Sequence, residues 1–265
     1  RGMMSVYKVA NYNLKIEDNL LLGYCWEKYQ VYKTQAPPLF SAYASFNAPV
    51  FYGTAFVQLD GINFQLLINH LSIFAVNKEW TEGRLIISEK GEEADNFLLD
   101  MFCTHVTKKK GIIFHSSLIE HKGCGLMFLG PSGIGKTTQA ELWNKYRDAL
   151  IINGDIVFVQ ETEENFLGWG TPWHGSSPYC ENTSVPVHAM IVLKQESENS
   201  IRELTGFEKV TAVSNNVFYP QWLENGMELC LETLDHLLSA IPVYELSCRP
   251  DEEAVRLTEE TLFGN

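Results

Sequence analysis

Phe128-Leu129-Gly130-Pro131-Ser132-Gly133-Ile134-Gly135-Lys136-Thr137-Thr138 fits the spacing G-x-x-x-x-G-K-[ST] at every fixed position. By composition alone, those fixed positions match by chance in roughly 1% of chains this long, so the match is specific. The residue types suit one task, the binding of a phosphate chain. Gly130, Gly133 and Gly135 allow backbone conformations closed to other residues, so successive N–H groups turn inward around an anion. Ser132, Ile134 and Thr138 complete the cradle. A helix starting near Lys136 adds the positive end of its dipole. The Lys136 ammonium reaches β and γ phosphates, and the Thr137 hydroxyl is a hard oxygen ligand for Mg²⁺. The ligand this implies is a nucleoside triphosphate, ATP, with Mg²⁺.

The flanks agree. Residues 112–119 and 126–129 read as strands joined by a turn at Gly123-Cys124-Gly125, and residues 136–146 read as a helix. Strands at 149–152 and 156–159 bracket Asn153-Gly154-Asp155. A carboxylate at a strand end of an open α/β sheet lines the ligand crevice, so Asp155 is a candidate metal ligand and catalytic acid–base. A turn aspartate is the plainer reading of the same residue. His115 lies within an apolar strand, where a histidine is often a satisfied core residue; its alternative is a functional role. The loop Gly170-Thr171-Pro172-Trp173-His174-Gly175-Ser176-Ser177 offers Trp173 and His174 as substrate-loop residues. Glu181 and Asn182 continue it. Arg202 and Arg249 suit phosphate oxygens but read as surface residues.

Upstream, short β-like runs occur at 6–16, 55–59, 64–68, 73–76 and 85–88, separated by turn signals. Residues 92–108 change to helical spacing through Phe97, Leu98, Met101, Phe102 and Val106. Downstream, a strand is expected at 187–194, helices at 207–214 and 227–240, a strand at 243–246 and a helix at 251–262. The expectation is a β-rich N-terminal module over 1–105 and a nucleotide-binding domain over 106–265.

Composition narrows the partners. The chain has 265 residues and a formal net charge of −13, which argues against a polyanion partner such as DNA or RNA. Lys108-Lys109-Lys110 reads as a solvated turn after a helix. No apolar run approaches the length of a membrane span, so no membrane partner is expected and the location expected is cytoplasmic. The six cysteines show no C-x-x-C pair and read as buried thiols.

A strand with His115-Ser116-Ser117, a short hairpin, the phosphate loop and a strand ending in Asp155 resembles the nucleotide-binding core of HPr kinase/phosphorylase. It is also similar to the core of phosphoenolpyruvate carboxykinase, where a His and an Asp serve the metal; the matching positions are His115 and Asp155. The Pro172-Trp173-His174-Gly175 loop and the ending Pro242-Val243-Tyr244-Glu245-Leu246 look like small HPr-kinase-related bacterial proteins. The resemblance implies a mixed α+β and α/β fold with a phosphate-loop core. It also implies transfer of a γ-phosphoryl group to a hydroxyl of a protein, peptide or small molecule, and self-association, since HPr kinases form hexamers. It makes Lys136, Asp155 and His115 catalytic, and Thr137, Asp155 and His115 metal-holding. HPr kinase carries an Asp pair after the loop; this chain has Gly154-Asp155, so one carboxylate is missing. That departure supports an alternative, a nucleotide-binding regulatory protein without transferase activity. A third reading is an ATP hydrolase that drives a conformational step.

Overall fold

The structure is a computed structural model. It describes residues 2–21, 26–46, 58–59, 62–63, 65–68, 72–87 and 93–264. The chain divides into two compact units, residues 1–105 and 106–265.

In the first unit the elements are β1 (Met4–Val9), β2 (Tyr12–Glu17), α1 (Asp18–Leu21), α2 (Trp26–Tyr29), β3 (Lys33–Thr34), β4 (Phe40–Phe46), β5 (Gln58–Leu59), β6 (Ile62–Asn63), β7 (Gln65–Ile68), β8 (Ser72–Val76), β9 (Glu82–Ile87) and α3 (Glu93–Thr107). A seven-stranded mixed sheet runs β3-β1-β2-β4-β9-β8-β7, and β5 pairs with β6 apart from it. Residues 6–16, expected as one run, are two antiparallel strands instead. Ala10 turns the chain with φ at +52°, and alanine carries no turn signal in a sequence. β4 was not anticipated at all. Parts of the expected runs at 55–59, 64–68 and 85–88, and the first residue of the expected helix at 92–108, lie outside the described residues. The helical spacing of Phe97, Leu98, Met101 and Phe102 has a plain cause: all four are buried. Phe97 meets the Phe74 ring edge-on at 5.1 Å.

The second unit contains β10 (Gly111–His121), β11 (Cys124–Leu129), α4 (Lys136–Arg147), β12 (Leu150–Asn153), β13 (Ile156–Glu161), β14 (Phe166–Trp169), β15 (Ser184–Gln195), β16 (Ser200–Leu204), α5 (Gly206–Ser214), β17 (Val217–Phe218), α6 (Gly226–Ala240), β18 (Val243–Cys248) and α7 (Glu252–Phe263). Its sheet runs β11-β10-β13-β14-β15-β18-β16, with β12 and β17 paired to β10. A parallel pairing of β11 with β15 closes the path on itself. Strand alternation sorts the apolar residues into two cores. Met127 and Leu129 point with Phe114, Leu118 and Val157 toward Leu234 and Leu237 of α6. Leu126 and Phe128 point the other way, with Trp143 of α4 and Ala254 and Val255 of α7.

The site is prepared by one long strand. Residues 111–115 of β10 pair with β13, whereas residues 116–121 pair with β11. On the β13 side, β12 takes over from residue 118 onward. Gly154 and Asp155 fill the gap between β12 and β13, opposite the point where β10 changes partners.

Candidate active site

The phosphate loop links the end of β11 to α4. Gly133 and Gly135 sit at φ +80° and +113°, in the left-handed region where a side chain is strained. The helical ladder begins with Gln139 N–H donating to the Gly135 carbonyl at 2.9 Å. The amides of Lys136, Thr137 and Thr138 precede that ladder, as first-turn amides do, and are left for a ligand. Gly130 has φ +141°; its N–H donates to Asn216 Oδ1 at 2.9 Å. Lys136 is buried, and its ammonium donates to the carbonyls of Gly130 at 2.9 Å and Pro131 at 3.2 Å. Burial pushes the Lys136 ammonium below the usual lysine range, and the Asp155 carboxylate pulls it part of the way back. An anion entering the loop would meet a cation hydrogen-bonded to neutral carbonyls and within the field of the Asp155 carboxylate.

Across from the loop lies the break between β12 and β13. Asn153 shapes it: Asn153 Oδ1 accepts from the N–H groups of Asp155 at 2.8 Å and Ile156 at 3.1 Å, an Asx-type turn. Asn153 Nδ2 donates to the Thr171 carbonyl at 2.9 Å. The Asp155 carbonyl keeps a ladder bond from Ser116 N–H at 2.8 Å, so its side chain is fixed toward β10. There His115 Nε2 lies 2.6 Å from Asp155 Oδ1. The pair is about one third exposed, at 31% and 29%, so both groups reach solvent. The loop after β14 closes the third side. Thr171 Oγ1 donates to the Ile156 carbonyl at 2.7 Å, and Ile156 N–H donates to the Trp173 carbonyl at 3.2 Å. Gly175, at φ +59°, lies so close to Asp155 that a Cβ there would come within 2.7 Å of Oδ2. Ser177 Oγ donates to the His174 carbonyl at 2.8 Å, and the His174 ring bonds the Ser177 carbonyl in return.

These three segments surround one cavity of about 410 Å³. Ser132, Gly133, Gly135, Lys136, Thr137 and Thr138 line it from the loop, and His115, Gly154 and Asp155 from the strands. His174, Gly175, Ser176 and Ser177 line it from the third side. Three of the candidate residues are placed differently. Gly130 is turned toward Asn216 and Lys136. Ile134 packs its side chain on the core of Trp143 and Phe128, and its N–H is taken by the Pro131 carbonyl at 3.2 Å. Trp173 is buried, and what it contributes to the strand break is its carbonyl. Arg202 pairs with Glu208 and Glu245, and Arg249 with Asp251 and Glu253. Glu181 and the turn of Lys108, Lys109 and Lys110 are exposed and do not line the cavity.

Asn153, Asn216 and Ser177 were not singled out from the sequence, although all three shape the site. Asn153 and Ser177 had a trace there, as neighbours of Asp155 and His174. Asn216 had none.

Among the described residues, no cluster of three or more His, Cys, Asp or Glu side chains could hold a metal alone. Mg²⁺ takes one or two protein oxygens and fills its shell from phosphates and water. Thr137 Oγ1, 3.3 Å from the Gly154 carbonyl and beside Asp155, supplies such oxygens. The His115 Nε2 nitrogen is engaged by Asp155 Oδ1, and His115, Asp155 and Thr137 stand on the same cavity. None of the described cysteines lines the cavity; Cys103, Cys230 and Cys248 are buried thiols, while Cys124 and Cys180 are half-buried, and Cys180 Sγ donates to the Thr171 carbonyl at 3.3 Å. Cys25 lies outside the described residues.

No family model matches the chain, and no curated protein matches it. The HPr(Ser) kinase/phosphatase from Coxiella burnetii is a structural neighbour with a TM-score of 0.36 and 9% identity, covering 56% of this chain and 95% of that one. A likeness of that size leaves the site to be read from its own residues.

Proposed function

We propose that this chain is an ATP- and Mg²⁺-dependent phosphotransferase of the HPr-serine-kinase type, acting on a hydroxyl of a protein, peptide or small molecule. The observation that carries the reading is the His115–Asp155 pair facing the phosphate loop across a single cavity. A phosphate loop alone serves any nucleotide binder. A carboxylate–imidazole pair at 2.6 Å beside it supplies what transfer needs in addition, a base within reach of an acceptor hydroxyl.

In this reading Asp155, held by His115, takes the hydroxyl proton as the acceptor oxygen forms its bond to the γ-phosphorus. The bond from that phosphorus to the bridging oxygen breaks, and ADP leaves with the electron pair. Lys136 exchanges its two carbonyl partners for phosphate oxygens and neutralises charge on the transferring group. Bound Mg²⁺ would offset charge on the β and γ oxygens, held by Thr137 directly and by Asp155 through water, which leaves the second Asp155 oxygen for the proton. His174 and Ser176 form the acceptor side.

One observation favours the rival reading, a regulatory nucleotide binder. Gly154 stands where HPr kinase has a second carboxylate, and Ser177 fills the space such a side chain would need. The test is calorimetric titration of a non-hydrolysable ATP analogue, with and without Mg²⁺, into wild type and Asp155→Ala. The kinase reading expects the variant to keep the nucleotide and lose the Mg²⁺ dependence. Equal Mg²⁺-dependent binding by both proteins would favour the regulatory reading. Phosphate release from ATP without any acceptor would favour the hydrolase.

A further inference from the structure

We propose that Asn216 is a positioning residue that locks the first turn of the phosphate loop to the strand carrying His115. The inference rests on the nucleotide-binding reading above. Asn216 is 8% exposed and lies between α5 and β17. Its Nδ2 donates to the Ala212 carbonyl at 2.9 Å, which fixes the amide's orientation. Its Oδ1 accepts from Gly130 N–H at 2.9 Å, across 86 positions of sequence. Its own backbone carbonyl accepts from His115 N–H at 2.8 Å. One residue thus holds both halves of the site, the loop through its side chain and the base strand through its main chain.

The linkage extends to the cation. Gly130 N–H is fixed by Asn216, and the Gly130 carbonyl accepts from the Lys136 ammonium. Gly130, at φ +141°, has no side chain to restrain it, and a Cβ there would meet Ile134 Cγ2 at 2.9 Å. The external hydrogen bond therefore substitutes for the rotational restraint that glycine lacks. Without it a buried N–H loses its acceptor, and the loop must move to hydrate it. Preorganisation of the anion cradle is lost with it.

Amide hydrogen exchange and analogue titration on the full chain test this, with Asn216→Ala and Asn216→Asp. Asp keeps an acceptor for Gly130 N–H; Ala does not. Expected for Asn216→Ala is at least roughly tenfold faster exchange at Gly130 and roughly tenfold weaker analogue binding. The His115 amide, bonded to the main chain of residue 216, should stay protected in both variants. Asn216→Asp should retain Gly130 protection; its carboxylate loses the donor to Ala212 and adds negative charge near the anion site, so exchange and not affinity is its readout. Unchanged Gly130 exchange in Asn216→Ala overturns the proposal. Loss of Gly130 and His115 protection together in both variants also overturns it, because the residue would then hold the local fold and not the loop. If the wild-type chain binds no analogue, the nucleotide reading fails while the exchange pattern still decides the role of Asn216.

Discussion

Gly154 is small because a neighbour occupies its space. A Cβ at this position would lie 1.9 Å from Ser177 Oγ and 2.6 Å from Ser177 Cβ. The absence of a side chain at residue 154 is thus tied to the conformation of a loop more than twenty positions away. Gly154→Asp is expected to destabilise the chain by about 1–3 kcal/mol, the usual cost of forcing atoms into a packed site. Adding Ser177→Gly should recover much of that loss, since residues in contact couple. Urea unfolding of the four proteins in the cycle measures it. Additive losses would show that the 170–177 loop moves aside freely and that the glycine has another cause. Asp155, by contrast, is fixed by its own backbone, through Asn153 Oδ1 on one side and Ser116 N–H on the other. Its place at a strand end was readable, but its hydrogen bond to His115 was not: the ring reaches it only because two strands pair in register there.

At the scale of elements, α7 is docked on α4 and β10 through a mixed polar and aromatic contact. The buried His121 ring of β10 meets Trp143 edge-on at 5.2 Å and Phe263 at 5.7 Å. His121 Nε2 lies 3.5 Å from Glu259 Oε1, and Arg147 and Lys122 face the same carboxylate. Burial and Lys122 hold the His121 imidazole below its ordinary value, against the opposing pull of Glu259 and Glu120. A histidine depressed in the fold is protonated first in the unfolded chain. Stability should therefore fall as pH drops below the ordinary imidazole value near 6.5, and go on falling to the depressed value. Glu259 is shifted downward by Arg147, despite burial, so its contribution is lost only at lower pH, below the ordinary carboxylate range. Thermal melts from pH 7.5 to 5 should slope downward in wild type and flatten in His121→Gln. An unchanged slope in the variant would assign the acid sensitivity elsewhere. Of the elements themselves, the apolar runs of β10, β11, β13 and β15 were legible because they are buried. β14, only four residues with a glycine, and β16, a mostly exposed strand at the sheet edge, carry no such run. The two residues of β17 are below the length any periodicity can show.

For the whole molecule, every residue that lines the cavity lies within residues 106–265, and so do Asn153 and Asn216. A chain limited to those residues is expected to fold and to bind the ATP analogue. Circular dichroism and calorimetric titration check both halves of that statement. A folded fragment that binds nothing would place a required group in residues 1–105. No helix among the described residues is long and apolar enough to cross a membrane. Self-association remains a proposal that light scattering of the full chain decides, since the sheet of the second unit closes through β11 and β15 without a second copy.

The sequence by itself determined the turn at 130–135 and the helix that follows it, because their geometry is local. Glycines at fixed offsets, a lysine and a threonine act through backbone geometry spread over only a few residues. It also determined the apolar strands and helices whose periodicity follows burial. The tertiary structure alone decided which acid meets which base, why residue 154 has no side chain, and that Asn216 joins loop to strand. Those relations depend on contacts between positions 23 to 101 residues apart, and no local pattern records a partner so distant. Strand register and loop packing bring them within hydrogen-bond reach, and both are properties of the assembled sheet.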